Sequence, residues 1–331
     1  MIDRRQLLAW AAAWPAAFAA APSSAWSQDD FPSRALRIIV PFTPGGSSDI
    51  LARAVGQELT QAWGRPVVVE NVPGAGGTLA TERAARAAPD GYTLFMGHTG
   101  TLAINPWLYP HQRIDTGKAF APVAWVARVP NVLVVHPSVP ADSLAALVDY
   151  AKAHPTALAY GSGGNGSAAH LTMEYLKLRT GLKALHVPYK GTAPSVTDLL
   201  AGQVQMLFTG SPALMPHIKA GSLRAIAVSS PQRLAQLPQV PTVAETGVPG
   251  AAGFEADQWY GLVAPAGTPA AVVDRINRQV NAALATEAVR ARLVSEGAQP
   301  MPSSPARFGA LIQAEASRWG ETVKAARVTV D

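Results

Sequence analysis

The chain has 331 residues, more than one ordinary core holds and suited to two domains. With 48% hydrophobic and 15% charged residues it is not a disordered chain, and with no cysteine it has no disulfide, thiolate-bound zinc or thiol chemistry. Its 27 basic and 22 acidic residues leave a scattered excess of +5, without the basic run that a nucleic-acid partner needs.

Residues 1–27 read as an export signal. Arg4 and Arg5 form a positive start, Leu7 to Ala21 is almost wholly apolar, and Ala25 and Ser27 stand at positions −3 and −1 of a cleavage site before Gln28. The apolar run is too short for a comfortable membrane span. The mature chain is therefore expected in the periplasm as a soluble protein.

Beyond the signal one unit recurs: a β-branched run, a small Gly-rich loop, then an amphipathic helix. Leu36 to Pro41 (LRIIVP) predicts a buried parallel strand, the loop from Thr43 to Asp49 turns the chain, and Ile50, Leu51, Ala54, Val55 and Leu59 mark one helical face. Val67 to Glu70 leads through the glycines of 74–77 into a helix reaching Ala88. Thr93 to Gly97 leads through His98-Thr99-Gly100-Thr101 into Leu102 to Leu108. Leu158 to Tyr160 leads through residues 161–167 into a helix stopped by Gly181, and Met206 to Phe208 leads into Thr209-Gly210-Ser211. Val132 to Val135 and Gly253 to Ala264 read as connecting strands, and helices over about 270–296 and 305–327 close the chain. This alternation predicts an α/β fold, each domain a mainly parallel sheet flanked by helices, with ligands at the carboxyl ends of the strands. Two crossings divide the chain into residues 28–130 plus 254–331 and residues 131–253, a hinged clamshell.

Two loops share one chemistry. Thr43 to Ser48 and Ser162 to Ser167 each supply Gly, Ser or Thr and then start a helix. A helix N-terminus leaves unpaired N–H groups and about half a positive charge facing the loop, which suits a carboxylate or phosphate. Each charge-assisted contact contributes on the order of 1.5–3 kcal/mol, so two loops closing on one anion reach micromolar affinity. A plainer reading of each loop is a tight turn in which Asp49 or Ser167 caps the helix.

Other motifs fail. Gly161, Gly163 and Gly166 spell GxGxxG, but the region where a dinucleotide site needs an acid reads His186-Val187-Pro188-Tyr189-Lys190. There is no GxxxxGK[ST] loop and no GxSxG elbow, and the seven histidines (His98, His111, His136, His154, His170, His186, His217) form no HExxH or i, i+4 pair. No metal and no cofactor are expected. His98 and His170 sit beside Gly-rich loops, His170 as a hydrogen-bonded wall residue rather than a catalytic base.

Seven segments in order then resemble the tripartite tricarboxylate transporter substrate-binding proteins, the Bug-type receptors. They are IIVPFTPGGSSDILAR (38–53), VVVENVPGAGGTLATE (67–82), DGYTLFMGHTGTLAINPWLY (90–109), YGSGGNGSAAHLTMEYLK (160–177), HVPYKGTAPSVTDLLAGQVQMLF (186–208), LPQVPTVAETGVPG (237–250) and WYGLVAPAGTP (259–269). The resemblance implies a two-domain periplasmic-binding-protein clamshell, type II-like, with a β-strand hinge. It implies no enzyme activity, but capture of an organic anion and delivery to a membrane permease of a large and a small subunit. The ligand carboxylate would be held by main-chain groups and ordered water from the two facing loops.

Carried onto this chain, Thr43, Pro44, Gly45, Gly46 and Ser47 would form one side of the site, and Ser162, Gly163, Gly164, Gly166 and Ser167 the other. Asp49 matches the acid of the family's GGxxD motif and is expected to cap the helix. His98 and Thr99 lie on a loop that varies among relatives and would read the far end of the ligand. Thr209 stands where many relatives carry Asp, which disfavours an amino-acid ligand and favours a plain carboxylate or dicarboxylate. The expected protein is a monomer. Delivery to a signalling partner instead of a permease is the alternative, and a periplasmic hydrolase using the loops as an oxyanion hole a remote one.

Overall fold

The computed structural model describes residues 31–109 and 114–326. The expected export signal and His111 lie outside the described residues.

From the N-terminus the chain builds three parallel strands. β1 (Leu36–Val40) is buried along nearly its whole length, as its LRIIV sequence requires, and is followed by α1 (Ser47–Trp63), β2 (Val67–Asn71), α2 (Thr78–Ala85) and β3 (Thr93–His98). Gly64 ends α1 in the left-handed region (φ 61), its N–H returning to the Thr60 carbonyl. After β3 a wide helical turn, Thr99–Ile104, runs into α3 (Asn105–Leu108), then α4 (Thr116–Ala119) and the long strand β4 (Phe120–Val129).

At Pro130 the chain passes directly into β5 (Asn131–Val135), the penultimate strand of a second sheet. α5 (Leu144–Ala153), β6 (Ala159–Ser162), α6 (Ala168–Thr180), β7 (Leu185–Pro188), α7 (Thr192–Leu200), β8 (Met206–Gly210), α8 (Met215–Lys219) and β9 (Arg224–Val228) complete that lobe. The chain returns along β10 (Gln258–Pro265) and ends with α9 (Ala270–Ala285), α10 (Glu287–Ser295), β11 (Gln299–Pro300) and α11 (Pro305–Ala326).

The sheets have the orders β11-β4-β10-β3-β1-β2 and β7-β6-β8-β5-β9. Each is parallel where the Gly-rich loops leave it, at β1–β2–β3 and at β7–β6–β8. Each is antiparallel at the strands that carry the chain between lobes, so the sheets are mixed rather than mainly parallel. Two further expectations are corrected. Val132 to Val135 is more than a connecting strand: it lies inside the second sheet, its residues paired to β8 and β9. The helix expected over 270–296 breaks at Thr286, whose extended backbone (ψ 141) and hydroxyl cap a new helix by accepting the Val289 N–H.

A polar staple joins the two crossings. Arg128 pairs with Asp257 at 2.8 Å and with Glu255 at 2.7 Å, Ser229 donates to Asp257 at 2.6 Å, and the Asn131 N–H donates to Ser229 at 2.8 Å. Burial raises the Asp257 pKa, with Arg128 and Ser229 pulling the other way. Below the staple, Gly261 in β10 leaves room for Phe308 of α11, whose ring would lie 2.2 Å from a Cβ there. Phe308 packs edge-on against Trp259.

Candidate functional site

Three helices begin at one place between the sheets. Ser47 and Ser48 of α1, Ala168 and Ala169 of α6 and Thr192 of α7 all line one small cavity of about 20 Å³. Phe42, Gly46, His98, Gly163, Ser167, Thr209, Gln258 and Tyr260 complete its wall. The first amides of a helix have no intrahelical acceptor, so this wall is rich in N–H donors and in the positive ends of helix dipoles. Among the described residues no lining side chain is Lys, Arg, Asp or Glu. The arrangement can hold an anion by backbone donors alone.

The first loop is braced by a carboxylate. Gly46 takes the cap position of α1, and Asp49 stands third in the helix, so the expected cap role is corrected in position. From there Asp49 reaches back to accept the Gly45 N–H at 3.0 Å, and also accepts from Arg53 at 3.0 Å and Asn71 at 3.1 Å. Burial acts to raise its pKa, but the bonds from Arg53, Gly45 and Asn71 outweigh it and hold the carboxyl below its ordinary range. Gly45 adopts φ +88, a left-handed conformation that a side chain would strain.

The second loop is braced by neutral rings. The Gly166 N–H donates to His170 Nδ1 at 3.1 Å, and the Ser167 hydroxyl caps α6 by accepting the His170 N–H. His170 stacks on His186 with centroids 3.9 Å apart, and His186 stacks on Tyr160 at 4.9 Å. Tyr160 donates to Glu174, which also pairs with Lys177 at 2.6 Å. Burial pushes His170 down to about 4 and His186 down to about 3, so both rings stay neutral near pH 7. Ser162 bonds His186 Nε2 at 2.6 Å, a pairing that outwardly resembles a nucleophile and its base. Its hydroxyl is fully buried and also bonds the Gly164 backbone, so the pair holds the loop and does not line the cavity.

His98 ends β3 and caps the wide turn that follows. Its Nδ1 accepts the Thr101 N–H at 3.1 Å, which leaves the ring proton on Nε2 as a donor beside the cavity. Phe42 meets the ring edge-on at 5.2 Å and Tyr260 lies tilted at 5.6 Å. Burial lowers the His98 pKa to about 3, so this donor is uncharged.

The expected residues thus separate into groups. Gly46, Ser47, His98, Gly163, Ser167 and Thr209 line the cavity. Thr43, Gly163 and Gly164 line a wider groove of about 680 Å³ with Gly76, Tyr109, Tyr189 and Lys190. Pro44 and Gly45 sit exposed at the rim. Ser162 and Gly166 work behind their loop, and the buried Thr99 accepts the Trp259 N–H at 3.0 Å. Sequence reasoning missed Phe42, Ser48, Ala168, Ala169, Thr192, Gln258 and Tyr260. Ser48, Ala168 and Ala169 were findable, since each falls within the first two residues of a helix that a Gly- and Ser-rich loop opens. Gln258 and Tyr260 were not, because only the pairing of Tyr260 opposite His98 brings β10 to the site. Among the described residues no group of three or more His, Asp or Glu converges to hold a metal ion, and no helix is long and apolar enough to cross a membrane.

Comparison with known proteins adds the following. The family described as tripartite tricarboxylate transporter family receptor (TctC) matches residues 51–328. Protein BugT of Bordetella pertussis is 40% identical over 306 residues, 92% of this chain and 92% of that protein. The periplasmic binding protein BugD is similar in structure with a TM-score of 0.86 and 34% identity, covering 90% of this chain and 99% of BugD. The R. palustris protein Rpa4515 with adipate superposes with a TM-score of 0.87 at 38% identity, covering 91% and 99% of the two chains. MatC (Rpa3494) from Rhodopseudomonas palustris with bound malate gives 0.84 at 35% identity, covering 88% and 100%.

Proposed function

This chain belongs to the tripartite tricarboxylate transporter receptor family, and on that premise we propose that it captures a small dicarboxylate between its lobes, in the periplasm, and presents it to a membrane permease of the same transport class. The observation that carries the reading is the convergence of three helix starts on one cavity whose lining, among the described residues, holds no charged side chain. A carboxylate there has about four accepting sites, which the first N–H groups of α1 and α6, at Ser47, Ser48, Ala168 and Ala169, can fill, with Thr192, Thr209 and the neutral His98 Nε2–H as neighbouring side-chain donors. Such bonds to a charged acceptor contribute roughly 1.5–3 kcal/mol each. Relatives crystallised with adipate and with malate support a dicarboxylate.

The lobes divide at residues 130–131 and 253–254, and the signal is removed before Gln28. Both lobes contribute donors to one anion, so ligand binding favours the closed arrangement over the open one, and the closed form is what the permease recognises. No covalent step is needed, and the chain works as a receptor rather than an enzyme.

A thermal-shift panel of mono-, di- and tricarboxylates and amino acids on ligand-stripped protein tests this. At one hundred times the dissociation constant a native-state ligand adds about 2.7 kcal/mol, which moves the midpoint by a few degrees. Shifts confined to dicarboxylates are the expected result. A shift with amino acids alone, or with none of the acids, contradicts it.

A further inference from the structure

One chain of hydrogen bonds in this site has a fixed direction. Asn131 Nδ2 lies 2.6 Å from the Ala256 carbonyl, which can only accept, so the Asn131 amide is oriented with Nδ2 as donor and Oδ1 free to accept. Gln258 Nε2 donates to that Oδ1, which turns Gln258 Oε1 toward Tyr260. An amide oxygen cannot donate, so the Tyr260 hydroxyl spends its only proton on Gln258, at 2.6 Å. The chain is buried from end to end. Tyr260 therefore offers the cavity an oxygen that accepts and cannot donate.

Ser47 lines the same cavity, and in any hydrogen bond between the two hydroxyls Ser47 is the donor. When a carboxylate arrives at the start of α1 it competes for the Ser47 proton. If the carboxylate wins, the Tyr260 oxygen keeps its bond to Gln258 but its buried accepting site is left unfilled, which is costly. A ligand that brings its own hydroxyl next to the carboxylate removes the conflict. An ammonium would also donate, but no lining side chain is acidic, so its charge would be buried without a counterion.

We propose that Tyr260 is a specificity-determining residue, selecting dicarboxylates that carry a hydroxyl beside the bound carboxylate, with Gln258 and Asn131 as positioning residues that fix the direction of its proton. The proposal rests on the dicarboxylate reading above and narrows it to hydroxy-dicarboxylates.

The test is calorimetric titration of the ligand-stripped protein with malate and with succinate, which differ by one hydroxyl. Malate binds tighter by about tenfold or more, since a site built around a ligand hydroxyl rejects the analogue lacking it. Tyr260→Phe brings the malate-to-succinate ratio close to one. Gln258→Met frees the tyrosine proton and lowers the ratio in the same direction, even where it weakens both ligands. A merely structural role for either side chain would weaken both ligands equally and leave the ratio unchanged. Equal affinities in the unaltered protein, or a ratio that survives both substitutions, overturn the proposal while leaving the dicarboxylate reading standing. Binding of neither acid overturns the proposal, and the dicarboxylate reading falls with it only if adipate also fails to bind.

Discussion

The two loops that open on the cavity solve one problem in opposite ways. The loop before α1 is braced by an ionised group: Asp49 accepts the Gly45 N–H while paired with the half-exposed Arg53 at 2.9 Å. The loop before α6 is braced from behind by stacked neutral rings, His170 accepting the Gly166 N–H and His186 bonding Ser162. Both leave helix amides for a ligand and keep fixed charge out of the cavity lining. The lesson is that loop shape and loop charge are separable. An anion site needs a rigid frame of N–H donors, and either an acid outside the lining or uncharged imidazoles behind it can supply the rigidity.

The largest effect is expected where the loops meet the opposite lobe. A Cβ at Gly191 would lie 2.3 Å from Thr43 Oγ1 and 3.0 Å from Thr43 N. Gly191→Ala should cost the closed form about 1–3 kcal/mol and weaken dicarboxylate binding roughly ten- to hundredfold. The melting temperature without ligand should stay within about 2 °C, since the contact lies across the cleft. Equal affinity by calorimetry would show that closure does not press Thr43 on Gly191.

The braces can be broken one at a time. Asp49→Ala and His170→Leu each leave a loop N–H without its acceptor and should destabilise the fold by about 1–3 kcal/mol. They should differ in salt: the Asp49 contribution shrinks between 0.05 and 0.5 M sodium chloride because Arg53 is half exposed, and the His170 contribution does not. Melting curves of both variants at both salts decide it, and identical salt responses would erase the distinction.

Acid sharpens the contrast further. His98, His170 and His186 are lowered from 6.5 to about 3, 4 and 3 by burial, so only the unfolded chain takes up their protons below pH 6.5. Their contribution is complete above that value and is lost as the pH falls toward the folded values. Asp49, also lowered, contributes above its ordinary value of 3.8 and is lost below it. The melting temperature should therefore fall between pH 6.5 and 4, with a shallower slope in His170→Leu and an unchanged slope in Asp49→Ala. The smallest effect concerns the ligand: with no ion pair in the cavity lining, dicarboxylate affinity should change by less than about threefold over the same salt range.

Much of this was legible in the sequence, for physical reasons. A short β-branched run such as LRIIV bounded by turn residues reads as a buried strand, and the loops announced themselves because several Gly- and Ser-rich helix starts follow such runs in one chain. What pattern could not supply was register. Phe120–Val129 carries Pro122 and three alanines inside it, which weaken its strand signal, and it went unread. Gln258 and Tyr260 looked like part of a crossing, and only antiparallel pairing of β10 with β3 sets them against His98. Ser162 and Thr99 carried the right chemistry in the right loops, yet their hydroxyls serve the Gly164 backbone and the Trp259 amide. Chemistry by residue type finds a loop; which atom faces the ligand depends on packing from the other side.

The most direct test is a crystal structure of the protein with a bound dicarboxylate. One carboxylate should lie about 3 Å from backbone nitrogens at the starts of both α1 and α6, with no Lys or Arg in contact. A carboxylate bound instead by Lys190 in the outer groove, or by only one of the two helices, would contradict the account.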